Sequence, residues 1–164
     1  MQLRKLVELP EGAEKAPPRP KLGPRKSADY QASVMHWSKL CDAPVSPDAV
    51  KYLKSDTSLA LRAALVAKDE GRFKAFHEPM YRARWAEPRD PADRSVVREL
   101  LADAGLDAEA ALARAESEEL VGRLDRDTDE AIERGVFGVP TIFVGDEMFW
   151  GNDRFELVRH YLTT

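Results

Sequence analysis

The run Gly135-Val136-Phe137-Gly138-Val139-Pro140-Thr141, continued by Ile142-Phe143-Val144, constrains this chain more than any other stretch. Proline has no backbone N–H, so within a sheet it is confined to edges, bulges or the first residue of a strand. Pro140 heads a β-branched apolar run and fits the last of these. Only ~5% of X-Pro bonds in folded proteins are cis, so the base rate alone gives trans at Val139–Pro140, and the other reading is cis. That geometry turns the N–H and C=O of Val139 out of the ladder, where an extended peptide ligand can pair with them. Gly145-Asp146 reads as a hairpin turn and Glu147-Met148-Phe149-Trp150 as the return strand. Gly151-Asn152-Asp153 leads into a final helix carrying Phe155, Leu157, Val158 and Tyr161.

The chain upstream has a different character. Leu3, Leu6, Val7 and Leu9 mark a short strand over 1–9. Residues 10–26 hold five prolines and two glycines with many lysines and arginines, which predicts an extended basic loop and no helix. It is read first as a solvated linker. The functional alternative is a basic rim of Lys15, Arg19, Lys21, Arg25 and Lys26 over an anionic ligand. A helical stretch follows, with Tyr30, Val34, Trp37 and Leu40 at three- and four-residue spacing and Ser27 as its cap. Ser46-Pro47 marks a cap followed by a first-turn proline. Asp56 or Thr57 caps a helix that stops near Gly71. Pro79 is expected to kink or restart the helix carrying Phe73, Phe76, Met80, Tyr81 and Trp85. Asp90-Pro91 is expected to open another helix, closed by Gly105. Asp107 and Ser117 start two more, and the second ends at Gly135. The organisation is therefore a single domain over 1–164. It comprises strand and basic loop (1–26), a helical insertion (27–134), and a strand–hairpin–helix closing unit (135–164). Its class is α/β with inserted helices.

Composition removes several functions. A net charge of −4 over 164 residues leaves no electrostatic footprint for nucleic acid. No apolar run approaches the ~20 residues of a membrane span, and Met1–Pro10 lacks the apolar core of a signal peptide. A cytoplasmic location is expected. Cys41 is the single cysteine, so an internal disulfide or a CxxC pair is impossible. It is expected to be a small buried residue. His36, His77 and His160 are too scattered for a metal site. His36 and Trp37 are read as core and surface neighbours, and Met80, Tyr81 and Trp85 as core.

Asn152 and Asp153 invite two readings. The simpler is helix capping, for which both residue types are favoured. The functional one uses the positive end of the helix to hold a carboxylate, with Asp153 accepting from an ammonium group. A free α-amino acid end carries both groups.

The closing stretch GVFGVPTIFVGDEMFWGNDRFELVRHYL resembles the C-terminus of 2-hydroxychromene-2-carboxylate isomerases and kappa-class glutathione transferases, relatives of the DsbA-type oxidoreductases. The resemblance extends back through LRAALVAKDEGRFKAFHEPMYRARW and ADAGLD. It implies a thioredoxin-like fold of the DsbA/kappa type, with a cis bond at Val139–Pro140. It implies glutathione as cofactor, with Val139 beside Pro140 holding its cysteinyl backbone and Asn152 and Asp153 its γ-glutamyl end. Trp150 and Phe137 would wall the pocket. The implied reaction is thiol addition to an unsaturated aromatic-degradation intermediate, bond rotation and elimination. A kappa-like transferase, or a non-catalytic thioredoxin-like binding module, is the alternative.

The family's first strand, with a serine turn that activates the thiol, has no counterpart here, so no catalytic serine is assigned. A truncated or misstarted chain, replacement by Met1–Leu9, and supply by another chain all account for this. The expected partners are a small aromatic substrate and a second copy of the chain in a homodimer, with strand exchange as one of the three alternatives above.

Overall fold

A computed structural model describes residues 24–163, so the strand expected over 1–9 and the loop over 10–23 lie outside the described residues. The chain divides into two compact units, with the division between Gly122 and Arg123.

The first unit is helical. Helix α1 spans Pro24–Leu40 and starts three residues before the expected cap at Ser27. Proline at a first helical position costs nothing, because that N–H has no partner in the helix anyway. So Pro24, Arg25 and Lys26 belong to a helix and not to a loop. The stripe expected to pack is exposed at Trp37 and Leu40, and His36 is exposed as well. Cys41, expected to be buried, is an exposed free thiol in the turn that ends α1. Pro47–Tyr52 forms a 3-10 turn rather than an α-helix, with the Ser46 hydroxyl accepting from the Asp48 N–H.

Helix α2 (Ser58–Asp69) is preceded by Asp56, whose carboxylate accepts the Ser58 N–H, whereas Thr57 makes no side-chain cap. Helix α3 (Phe73–Trp85) runs straight through Pro79 as one element. Burial of Phe76, Met80 and Ala83 on a single face holds the turns on both sides of the proline. Tyr81, adjacent to Met80, points off that face and is largely exposed. Helix α4 is Arg94–Asp103, three residues later than expected. Asp90 instead closes a turn by accepting the Ala92 N–H, and Asp93 is the cap. Asp107 caps α5 (Ala108–Glu116), and α6 spans Glu118–Glu133.

Helix α2 packs on α3, α4 and α5. Phe76, Leu101, Leu112, Leu120, Val66 and Val97 are fully buried between them, with alanines filling the close approaches. Ion pairs lace the rim: Arg89 with Glu99, Arg94 with Glu116, Arg98 with Glu109, and Arg114 with Asp69 and Glu70. Hydrogen bonding to Arg89 and to Arg94 holds the Glu99 and Glu116 carboxyls below their usual range. Burial pulls the Arg84 guanidinium below its ordinary value, and it donates to the Ala49 carbonyl.

The second unit holds most of α6, the hairpin and the last helix. Strand β1 is Thr141–Val144 and β2 is Glu147–Trp150, paired antiparallel with Thr141 opposite Trp150 and Val144 opposite Glu147. Gly145 takes φ +60, the left-handed value that a two-residue hairpin asks of its first corner. Alternation puts Thr141, Phe143, Met148 and Trp150 on one face and Ile142, Val144, Glu147 and Phe149 on the other. Helix α7 (Phe155–Thr163) packs on β1, and its Tyr161 ring meets Phe149. On the opposite face the Arg134 guanidinium lies 3.6 Å from the centre of the Phe143 ring. Among the described residues the sheet has these two strands.

Candidate functional site

The five residues singled out in the sequence, Val139, Pro140, Trp150, Asn152 and Asp153, are gathered at one end of the hairpin. Gly135, at φ +82, stops α6 and releases the chain into the loop before β1. The Val139–Pro140 bond is cis. Pro140 offers no N–H, but its carbonyl accepts from the Gly151 N–H at 3.0 Å, one step beyond the Thr141–Trp150 pair. This bond joins the two arms of the site. Val139 precedes Pro140 on one arm, and Asn152 follows Gly151 on the other. Among the described residues neither the N–H nor the C=O of Val139 has a hydrogen-bond partner, and its side chain is 43% exposed. The Thr141 hydroxyl donates to the Gly138 carbonyl at 2.6 Å and fixes the loop immediately before Val139.

Asn152 and Asp153 are the first residues of a 3-10 turn (Asn152–Arg154) that runs into α7. Gly151 occupies the cap position at φ +108 and ψ 152, so neither Asn152 nor Asp153 is the N-cap that the simpler reading required. Arg154 N–H bonds back to the Gly151 carbonyl, which leaves the N–H groups of Asn152 and Asp153 at the positive end of the helical segment. The Asp153 carboxylate has Arg154 at 3.6 Å and stays more than half exposed. The arm therefore offers two backbone donors and one anionic acceptor. That set matches an α-carboxylate and an α-ammonium carried on one carbon.

Trp150 and Phe137 stand beside this cradle with ring centres 5.0 Å apart and planes tilted by 54°. Each is about half exposed, Trp150 at 50% and Phe137 at 53%. Two flat apolar faces next to an open peptide edge suit a planar organic molecule. Of the basic candidates, Lys15, Arg19 and Lys21 lie outside the described residues, and the side chains of Arg25 and Lys26 are not described. Ser46 is the cap read from the sequence, its hydroxyl accepting the Asp48 N–H. His77 lies between the Phe73 and Tyr81 rings, with centres 4.7 and 4.6 Å away, and Glu78 pairs with Lys74. Among the described residues no group of three His, Cys, Asp or Glu side chains could hold a metal ion, and no helix is long and apolar enough to cross a membrane.

Two features of the arrangement escaped the sequence reading. One is the Arg134 cation over Phe143. The other is the packing of the Trp150 indole against Gly138. The second had a signal in the sequence, a glycine two residues before Pro140 where any residue could stand, but its partner is twelve positions away.

The DSBA-like thioredoxin domain model matches residues 3–163. The chain belongs to the DSBA-like thioredoxin domain family. Within it, the chain is 34% identical over 131 residues to a 2-hydroxychromene-2-carboxylate isomerase of Sphingobium xenophagum, a match covering 80% of this chain and 65% of the relative. It is 31% identical over 134 residues to the isomerase of the same name from Pseudomonas sp. (strain C18), covering 80% of this chain and 61% of the relative. The chain thus spans somewhat less than two thirds of the length of these curated relatives. A solved selenomethionine 2-hydroxychromene-2-carboxylate isomerase superposes with a TM-score of 0.73 at 28% identity, over 87% of this chain and 71% of that structure. The fold expected from the closing motif is the fold of this DSBA-like chain: a DsbA-like thioredoxin fold, mostly helical, with a small two-stranded sheet among the described residues.

Proposed function

We propose that this protein is a glutathione-dependent isomerase of the 2-hydroxychromene-2-carboxylate type. The observation that carries the reading is the paired cradle: the open backbone of Val139 beside Pro140, tied by the Pro140–Gly151 hydrogen bond to the Asn152–Asp153 donors and carboxylate. An extended tripeptide with a free amino acid end presents complementary groups to both arms. The names and identities of the curated relatives support the isomerase part of this reading.

In this reading Val139 pairs with the backbone of the central residue of glutathione, as a strand edge pairs with a peptide. The N–H groups of Asn152 and Asp153 receive the γ-glutamyl carboxylate, and the Asp153 carboxylate receives its ammonium. Phe137 and Trp150 hold the aromatic substrate flat and shield it from water. The chemistry supplied by bound glutathione is a thiolate nucleophile for reversible addition to a conjugated carbonyl compound. The protein's share is to fix both reactants in line, an effect that can supply up to about 7–11 kcal/mol of the barrier.

The test has two parts. Glutathione is titrated calorimetrically into the full chain. Conversion of 2-hydroxychromene-2-carboxylate is then followed by absorbance with and without glutathione. Binding together with glutathione-dependent turnover is the expected result. No heat of binding sinks the glutathione reading. Binding without turnover, accompanied by conjugation of an electrophile, favours a kappa-like transferase.

A further inference from the structure

Both glycines that bracket the cradle leave room for a side chain of the cradle itself. A Cβ at Gly138 would lie 2.5 Å from the Trp150 indole nitrogen, 3.2 Å from Cε2 and 3.4 Å from Cδ1. A Cβ at Gly151 would lie 2.5 Å from Oδ1 of Asp153. By contrast, nothing lies within 4 Å of the Cβ position at Gly71, Gly105, Gly135 or Gly145, whose positive φ values explain the choice of glycine. Gly138 has no positive φ. Its backbone accepts any residue, and only the indole excludes one.

We infer that Gly138 is a positioning residue that seats the Trp150 indole against the loop leading to Val139, so that its ring stands as a wall of the ligand site. At Gly151 the φ of +108 already asks for glycine, and the Asp153 carboxylate is the end of a flexible side chain that can yield. At Gly138 the indole Nε1 would clash with a Cβ and Cε2 would be tighter than an ordinary contact, and both belong to one rigid bicyclic ring, so a methyl group is not met by a small shift of a flexible chain end. The whole indole must swing about its side-chain torsions. Doing so breaks its tilted contact with Phe137 at 5.0 Å and moves it off the Gly138 peptide. The Thr141 hydroxyl bond to the Gly138 carbonyl keeps the loop from yielding instead. Trp150 is half exposed, so the indole has solvent to move into and the fold survives its displacement.

The ligand consequence rests on the glutathione reading above, but the seating of Trp150 does not. The experiment separates them with four proteins: the parent, Gly138→Ala, Trp150→Ala and the double variant. Without ligand, near-UV circular dichroism and acrylamide quenching are recorded, and the Trp150 signal is the difference between each protein and its Trp150→Ala counterpart. Gly138→Ala is expected to change that signal and increase its quenching while the far-UV spectrum holds. With glutathione, Gly138→Ala is expected to weaken binding by about three- to tenfold, the range for losing one aromatic contact. The same change in the Trp150→Ala background is expected to have a smaller effect, because the ring that a Cβ at Gly138 would meet is gone. An unchanged Trp150 signal in Gly138→Ala overturns the inference. So does an equal loss of binding in both backgrounds. If the parent binds no glutathione, the functional reading fails while the spectroscopic comparison still decides the role of Gly138.

Discussion

Removing the Asp153 carboxylate probes the cradle most directly. In Asp153→Ala the two backbone donors of the arm remain and only the anionic acceptor is lost. A hydrogen bond to a charged group contributes about 1.5–3 kcal/mol when well formed. Asp153 is 58% exposed and shares its charge with Arg154 at 3.6 Å, so solvent screening and competition lower its contribution to about 1 kcal/mol. That corresponds to about a fivefold increase in the Kd for glutathione. Calorimetry with a second ligand isolates the contact. A glutathione analogue lacking the α-ammonium should bind the parent about fivefold more weakly than glutathione does, and should bind Asp153→Ala about as well as glutathione binds that variant. Asp153→Asn keeps the shape and an acceptor but not the charge, and should show most of the loss. Raising the salt concentration should shrink the difference between parent and variant. If Asp153→Ala binds glutathione within about twofold of the parent, or if the analogue suffers the same loss in both proteins, Asp153 does not hold the ammonium and the assignment of that arm is wrong.

Three further outcomes concern the helical unit, each read by urea or thermal unfolding followed by circular dichroism. Phe76→Ala empties a site that is 0% exposed and should cost about 3–5 kcal/mol, lowering the melting temperature by on the order of 10 °C. Gly105→Ala places a Cβ in open space but at φ +80, so it should cost about 1–2 kcal/mol from backbone alone. The Glu99 and Glu116 carboxyls are held below the ordinary glutamate range by hydrogen bonds from Arg89 and Arg94. Their contribution is therefore complete above that range and is lost as pH falls through the lower folded values. Unfolding midpoints should drop in acid, and the double variant Glu99→Gln, Glu116→Gln should show a shallower drop.

The sequence determined the local decisions. Val139-Pro140 at the head of an apolar run, Gly145 at the hairpin corner, Ser46, Asp107 and Gly105 at helix ends, and the stripe through Phe76 and Met80 all act through groups a few residues apart. Steric and hydrogen-bonding rules at that range can be read directly from residue order. Even there, boundaries moved where two acceptable answers existed. Pro24 begins α1 although prolines suggested a loop, and Asp93 rather than Asp90 caps α4, because an aspartate favours a turn and a cap alike. Pro79 stays inside α3 because the buried face on both sides outweighs one missing hydrogen bond. Cys41 is exposed because its place at the end of α1 leaves it outside the packed layers.

What only the tertiary structure decided is how distant residues meet. The motif reading named Val139, Asn152 and Asp153, but the hydrogen bond between Pro140 and Gly151 makes them one cradle, and that bond exists because the hairpin register places those residues opposite each other. Gly138 looked like one more turn residue until the fold laid the Trp150 indole where its side chain would be. No local rule reaches across twelve residues to report such a contact. Packing fixes it, and so the residue whose missing side chain seats the wall of the site is legible only once the chain has folded.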